Sequence, residues 1–168
     1  MRHILSVTVL NKPGVLARIT GLFSRRNFNI DSLNVGETDN PSYSKMTIVV
    51  RGDDRTLEQV KKQLHKLINV VKITDLEQSE MVARDLALIR VSCTRKQRTE
   101  INQIADTFRA KIVDLSNDSI IIEATGTDNK IEALVEILRD FGIKDIVRTG
   151  IVALSRGQLA EKSNKKIS

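Results

Sequence analysis

The strongest constraint on this chain is an internal repeat. Gly52-x-Asp54-x-x-Leu57-Glu58 and Gly126-x-Asp128-x-x-Ile131-Glu132 match at a spacing of 74 residues, and Leu64 and Leu138 keep the same register. In each copy a glycine ends an alternating strand and leads, past an aspartate suited to capping, into an amphipathic helix. A chain of 168 residues with such a repeat divides into two modules of roughly 80 residues each.

Periodicity orders the elements inside each module. Residues 3–10 are apolar and β-branched, and Asn11-Lys12-Pro13-Gly14 breaks that strand. Leu16, Ile19, Leu22 and Phe23 recur at helical spacing, with Arg18, Arg25 and Arg26 on other faces. Residues 30–37 read as a second strand whose alternation slips at Asp31-Ser32-Leu33, as at a bulge. Met46, Ile48 and Val50 alternate in a third. Thr56-x-x-Gln59 resembles a capping box ahead of the helical face Leu57, Val60, Leu64 and Leu67. Val70, Val71 and Ile73 close the module. The second half repeats the order, with strands at 86–93, 112–115, 119–124 and 146–154 and helical faces Ile101-Ile104-Ala105-Phe108 and Ile131-Leu134-Val135-Leu138. The fold class expected is α+β, two tandem ferredoxin-like βαββαβ modules. The expected bounds are 1–77 and 78–157, with a polar basic tail at 158–168.

Composition narrows the function. The single Cys93 and the distant His3 and His65 leave no cysteine-built zinc site and no metallohydrolase cluster. Aromatics are 3% with no Trp, against base-stacking nucleic-acid modules. Half of the net charge of +6 lies in the last fourteen residues, so no nucleic-acid partner is expected. No apolar run reaches membrane-spanning length and the N-terminus resembles no secretory signal, so no membrane partner and a cytoplasmic location are expected. Phosphate-cradling glycine motifs are absent, and neither histidine stands in a catalytic arrangement. Small cores and open sheet edges lead us to expect a homodimer joined through two N-terminal sheets.

The informative segment is Asn11-Lys12-Pro13-Gly14-Val15-Leu16. Gly14 admits close approach of a ligand to the backbone, Pro13 stiffens the turn, and the following helix start presents unpaired N–H groups suited to a carboxylate. Asn11 can add an amide donor. Taken alone this is equally a strand-to-helix turn, but the second module has Thr94-Arg95-Lys96-Gln97 in its place, without Pro-Gly.

Strand, Asn-x-Pro-Gly-Val-Leu, helix and βαββαβ order together resemble an ACT domain, a regulatory amino-acid-binding module. Gly21-Leu22-Phe23-Ser24-Arg25-Arg26-x-Phe28-Asn29-Ile30-x-Ser32-Leu33, Ser44-x-Met46-Thr47-Ile48, Gln63-Leu64-His65-Lys66-Leu67 and Leu154-Ser155-Arg156-Gly157 resemble the regulatory (small) subunit of acetolactate synthase. That resemblance implies a non-catalytic partner of the catalytic (large) subunit, conferring feedback inhibition by valine in branched-chain amino-acid biosynthesis. It implies an ACT domain at 1–77 and no cofactor in this chain, with thiamine diphosphate, FAD and Mg in the catalytic subunit. It carries valine binding onto Asn11, Gly14, Val15, Leu16, Asn29 and Ile30, with Asn29 and Ile30 given by the other copy of a homodimer and Val35 lining the pocket. Leucine and isoleucine remain alternative ligands. The rival readings are an ACT-type sensor of another pathway and an amino-acid-responsive nucleic-acid-binding regulator.

Overall fold

A computed structural model of the chain describes residues 1–77 and 80–157. The expected basic tail at 158–168 lies outside the described residues, as do positions 78 and 79. The chain packs as two units, Met1–Val82 with the described residues from Ile151 on, and Ala83–Gly150.

In the first unit the order is β1 (Arg2–Leu10), α1 (Val15–Arg25), β2 (Ile30–Glu37), β3 (Tyr43–Arg51), α2 (Asp54–His65) and β4 (Val70–Asp75). The antiparallel sheet runs β2-β3-β1-β4, and the βαββαβ expectation holds. Leu5, Val7, Val9, Met46, Ile48 and Val50 meet Ile19, Leu22, Phe23, Leu57, Val60 and Leu64 in one core. The alternation slip in β2 is a bulge between Ile30 and Ser32. The expected capping box is replaced by a simpler cap. Asp53 is the N-cap of α2 and accepts the Thr56 amide N–H at 2.7 Å. Hydrogen bonding by Thr56, first through its side chain and then its backbone, holds the Asp53 carboxyl below the usual carboxylate range.

Helix α1 ends in a left-handed turn. Asn27 has φ 58°, the Phe28 N–H bonds the Phe23 carbonyl at 3.0 Å, and the two rings meet edge to face at 6.4 Å. That turn delivers Asn29 to the start of β2.

The second unit contains β5 (Met81–Ser92, from its third residue), α3 (Arg98–Thr107), β6 (Lys111–Leu115), β7 (Ser119–Gly126), α4 (Asp128–Leu138), a 3₁₀ turn at Arg139–Phe141 and β8 (Ile143–Arg148). Its antiparallel order is β6-β7-β5-β8. Helix α3 ends like α1, with Arg109 at φ 52° and the Ala110 N–H on the Ala105 carbonyl at 2.8 Å.

One strand was expected at 146–154; there are two. The chain turns at Gly150, whose φ of 73° suits glycine, and β9 (Val152–Ser155) follows. β9 pairs with β5, whose first residues Met81 and Val82 group with the first unit. By packing, the second unit comprises Ala83–Gly150. Within the first unit, the Asn34 amide donates to the Ile151 carbonyl at 3.1 Å, and the Ala153 N–H reaches the Thr47 hydroxyl at 3.4 Å. Ile151 and Ala153 are buried, as are Ile4, Ser6, Thr47 and Val49 on the sheet face away from the helices. No helix among the described residues is long and apolar enough to cross a membrane.

Candidate functional site

Strand β1 ends at Leu10, and the chain is pinned as it leaves the sheet. The Asn11 N–H bonds the Ser42 carbonyl at 2.8 Å, and the Lys12 N–H turns back to Leu10 at 3.0 Å. The Asn11 side-chain NH₂ donates twice, to Glu37 Oε1 and to the Pro41 carbonyl, each at 3.0 Å. Gly14 is the N-cap of α1 in the left-handed conformation, φ 83°, with no side-chain cap on the helix. A Cβ built at Gly14 would meet nothing within 4 Å, so the turn opens to free space. The Val15 N–H reaches only the Lys12 carbonyl, at 3.4 Å. The start of α1 therefore presents weakly engaged amides and partial positive charge beside an open surface. Leu16, 40% exposed, and Val35, 46% exposed, add unburied apolar surface. Val35 pairs with the buried Met46 and so lies on the helix side of the sheet.

Asn29 and Ile30 lie elsewhere. They follow the C-terminus of α1, whose 11 residues span about 16 Å. From there β2 runs 8 residues, about 26 Å, before Glu37 meets Asn11. Within one chain, the structure brings Asn11, Gly14, Val15 and Leu16 together at one end of α1 and leaves Asn29 and Ile30 at the other. Asn29 is also tethered. Its NH₂ donates to Asp31 Oδ1 at 2.9 Å, and Arg51 Nε holds Asp31 Oδ2 at 2.5 Å. Glu37 and Asp31 were not singled out from the sequence. Asp31 had a local signal, two positions from Asn29 at the bulge. Glu37 had none, because its contact with Asn11 depends on the β2–β3 turn.

The remaining candidates resolve as structure. His3 is buried, with Nε2 3.1 Å from the Gly52 carbonyl and Nδ1 3.1 Å from Glu77 Oε2. His65 is exposed on α2, and Cys93 is buried in the second core. In the second unit, Arg148 gathers three carboxylates. Its Nε and Nη2 reach Asp85, Nη2 reaches Asp128 at 2.8 Å, and Nη1 reaches Glu132. Burial opposes its charge, but the hydrogen bonds with Glu132 and Asp85 win and raise its pKa further. Among the described residues no group of three or more His, Cys, Asp or Glu is arranged to hold a metal.

Two family models match the chain. The small subunit of acetolactate synthase matches residues 84–157, and the AHAS small subunit-like ACT domain matches residues 5–72. The acetolactate synthase small subunit of Bacillus subtilis is 49% identical over 170 residues, covering 100% of this chain and 99% of that one. This chain belongs to the acetolactate synthase small-subunit family. A probable acetolactate synthase small subunit of Methanothermobacter thermautotrophicus is 51% identical over 156 residues, covering 92% of this chain and 93% of its own. The crystal structure of the small subunit from Thermotoga maritima superposes with a TM-score of 0.85 at 44% identity, over 94% of this chain and 98% of that one. Membership makes the chain a regulatory, non-catalytic subunit whose partner is the catalytic large subunit, in branched-chain amino-acid biosynthesis. The resemblance and the fold expected from the sequence both stand.

Proposed function

We propose that this regulatory subunit stimulates the catalytic subunit and makes it sensitive to valine, through a site shared by two copies of the chain. The observation that carries the reading is the separation of the two residue sets by the length of α1. Each chain holds one half of a site at each end of its first unit. A twofold axis across the β2 edge resolves this. If two β2 strands pair antiparallel with Asn34 facing the partner's Asn34, then Leu33 faces the partner's Val35 and Ile30, set one place on by the bulge, faces the partner's Glu37. The partner's Asn29 then stands beside Asn11 and the Gly14 turn, and the joined sheets cover an edge that is otherwise open.

In that arrangement the effector's carboxylate meets the amides of Gly14, Val15 and Leu16, and its branched side chain meets Leu16, Val35 and the partner's Ile30. An effector bound across the joint favours one relative placement of the two copies. It shifts regulation only by its differential affinity for the two placements. The first unit, expected at 1–77, is the effector-binding and dimerising half. Thiamine diphosphate, FAD and Mg belong to the catalytic subunit, and the assembly works in the cytoplasm.

The test replaces Gly14 by Asp. Aspartate tolerates the left-handed backbone better than most residues, and its side chain points into open space where the effector carboxylate should lie. Calorimetry of the intact chain with valine, leucine and isoleucine is expected to show valine binding, weakened at least tenfold in Gly14→Asp. Unchanged valine binding by that variant contradicts the site. Preferential binding of leucine or isoleucine contradicts valine as the effector.

A further inference from the structure

The two asparagines of the site share a feature that fixes what they recognise. The Asn11 NH₂ is spent on Glu37 and Pro41, two partners that only accept hydrogen bonds. The Asn29 NH₂ faces Asp31, another pure acceptor, which Arg51 fixes in turn. A carboxamide held by its nitrogen turns its oxygen outward. Both side chains therefore offer Oδ1, an acceptor, where the sequence had suggested that Asn11 donates to a carboxylate. Among the described residues Glu37 pairs with no cation, so its charge remains uncompensated beside Asn11.

From these contacts we infer that Glu37 and Asp31 are positioning residues that lock Asn11 and Asn29 as acceptors, so that the carboxamides select the effector's ammonium group. The inference rests on the shared-site reading above and deepens it. The effector is then read at both ends. Its carboxylate lies on the α1 amides, where the helix start favours negative charge. Its ammonium lies between Asn11 Oδ1 and the partner's Asn29 Oδ1, with the Glu37 carboxylate adding charge complementarity. A branched acid without an amine satisfies only the first half.

The test is calorimetry on the intact chain with L-valine and with isovalerate, which keeps the carboxylate and branched carbons but lacks the ammonium. Glu37→Ala frees the Asn11 carboxamide and removes the charge. It is expected to weaken valine about tenfold, the worth of one charge-assisted hydrogen bond, while leaving isovalerate unchanged. Glu37→Gln keeps an acceptor oxygen for the Asn11 NH₂ and is expected to recover most of the loss. Asp31→Ala is expected to repeat the pattern of Glu37→Ala from the other side of the site. Equal weakening of both ligands by Glu37→Ala means general disruption and overturns the proposal, as does valine binding at wild-type strength. Failure of the wild-type chain to bind valine at all defeats the effector reading itself.

Discussion

At the scale of single residues, burial decides which contacts matter. Arg148 touches Asp85, Asp128 and Glu132, but only Asp85 is fully buried, its side chain 0% exposed, while that of Glu132 is 56% exposed. Replacing Arg148 by Leu strands a buried carboxylate and is expected to destabilise the protein by about 3 kcal/mol in chemical denaturation. Glu132→Ala removes a solvated partner and should cost under about 1 kcal/mol. Equal losses from the two would contradict this ranking. Contacts of this kind were not legible in the sequence. Asp85 and Arg148 lie 63 positions apart, and only the β5–β8 register, which sets Ala87 opposite Arg148, brings them together. The Asn11–Glu37 bond escaped for the same reason. Asn11 and Gly14 could be named from residue type and position and Asn29 from the family resemblance, but the direction of each carboxamide needed its partners.

Elements were more legible, because each rests on a local pattern. The slip at Asp31-Ser32-Leu33 marked the bulge, and the 3.6-residue period of Ile19, Leu22 and Phe23 marked the buried face of α1. Misreadings arose where two local signals competed. Thr56 looked like a cap because Gln59 follows at the right spacing, yet Asp53 stands three residues earlier and is the stronger acceptor. Residues 146–154 looked like one strand because the apolar run outweighed Gly150, whose positive φ divides it into β8 and β9. The edge strand β2 has the sharpest consequence at this scale. Val35 is an exposed apolar residue on it, and the pairing proposed above sets it across from the partner's Leu33. Val35→Lys places a charge in that joint on both copies. Sedimentation is expected to show the dimer dissociating at a concentration at least tenfold higher, with the circular dichroism of the fold retained. A dimer unaffected by Val35→Lys means that the copies join by another surface.

For the whole molecule, the repeat spaced by 74 residues corresponds to two similar units. Only the first carries Pro13-Gly14 between its first strand and helix, and there an open glycine turn stands beside the fixed Asn11 carboxamide. As a member of its family the chain regulates chemistry done by another subunit. The repeat made the two-unit organisation legible. The incompleteness of the proposed site within one chain was implied in the sequence by the family resemblance alone, and its physical reason is the distance spanned by α1 and the direction of β2.

That incompleteness can be measured by complementation. Gly14→Asp and Asn29→Ala are each expected to abolish valine binding, and the two variants are then refolded together so that their subunits re-pair. A site shared between copies leaves each mixed dimer with one intact site, made of Gly14 from one chain and Asn29 from the other. Calorimetry of a one-to-one mixture should recover valine binding at about one site in four, the share set by random pairing. If the mixture binds no more valine than the separate variants, each site is built within a single chain and the account is wrong.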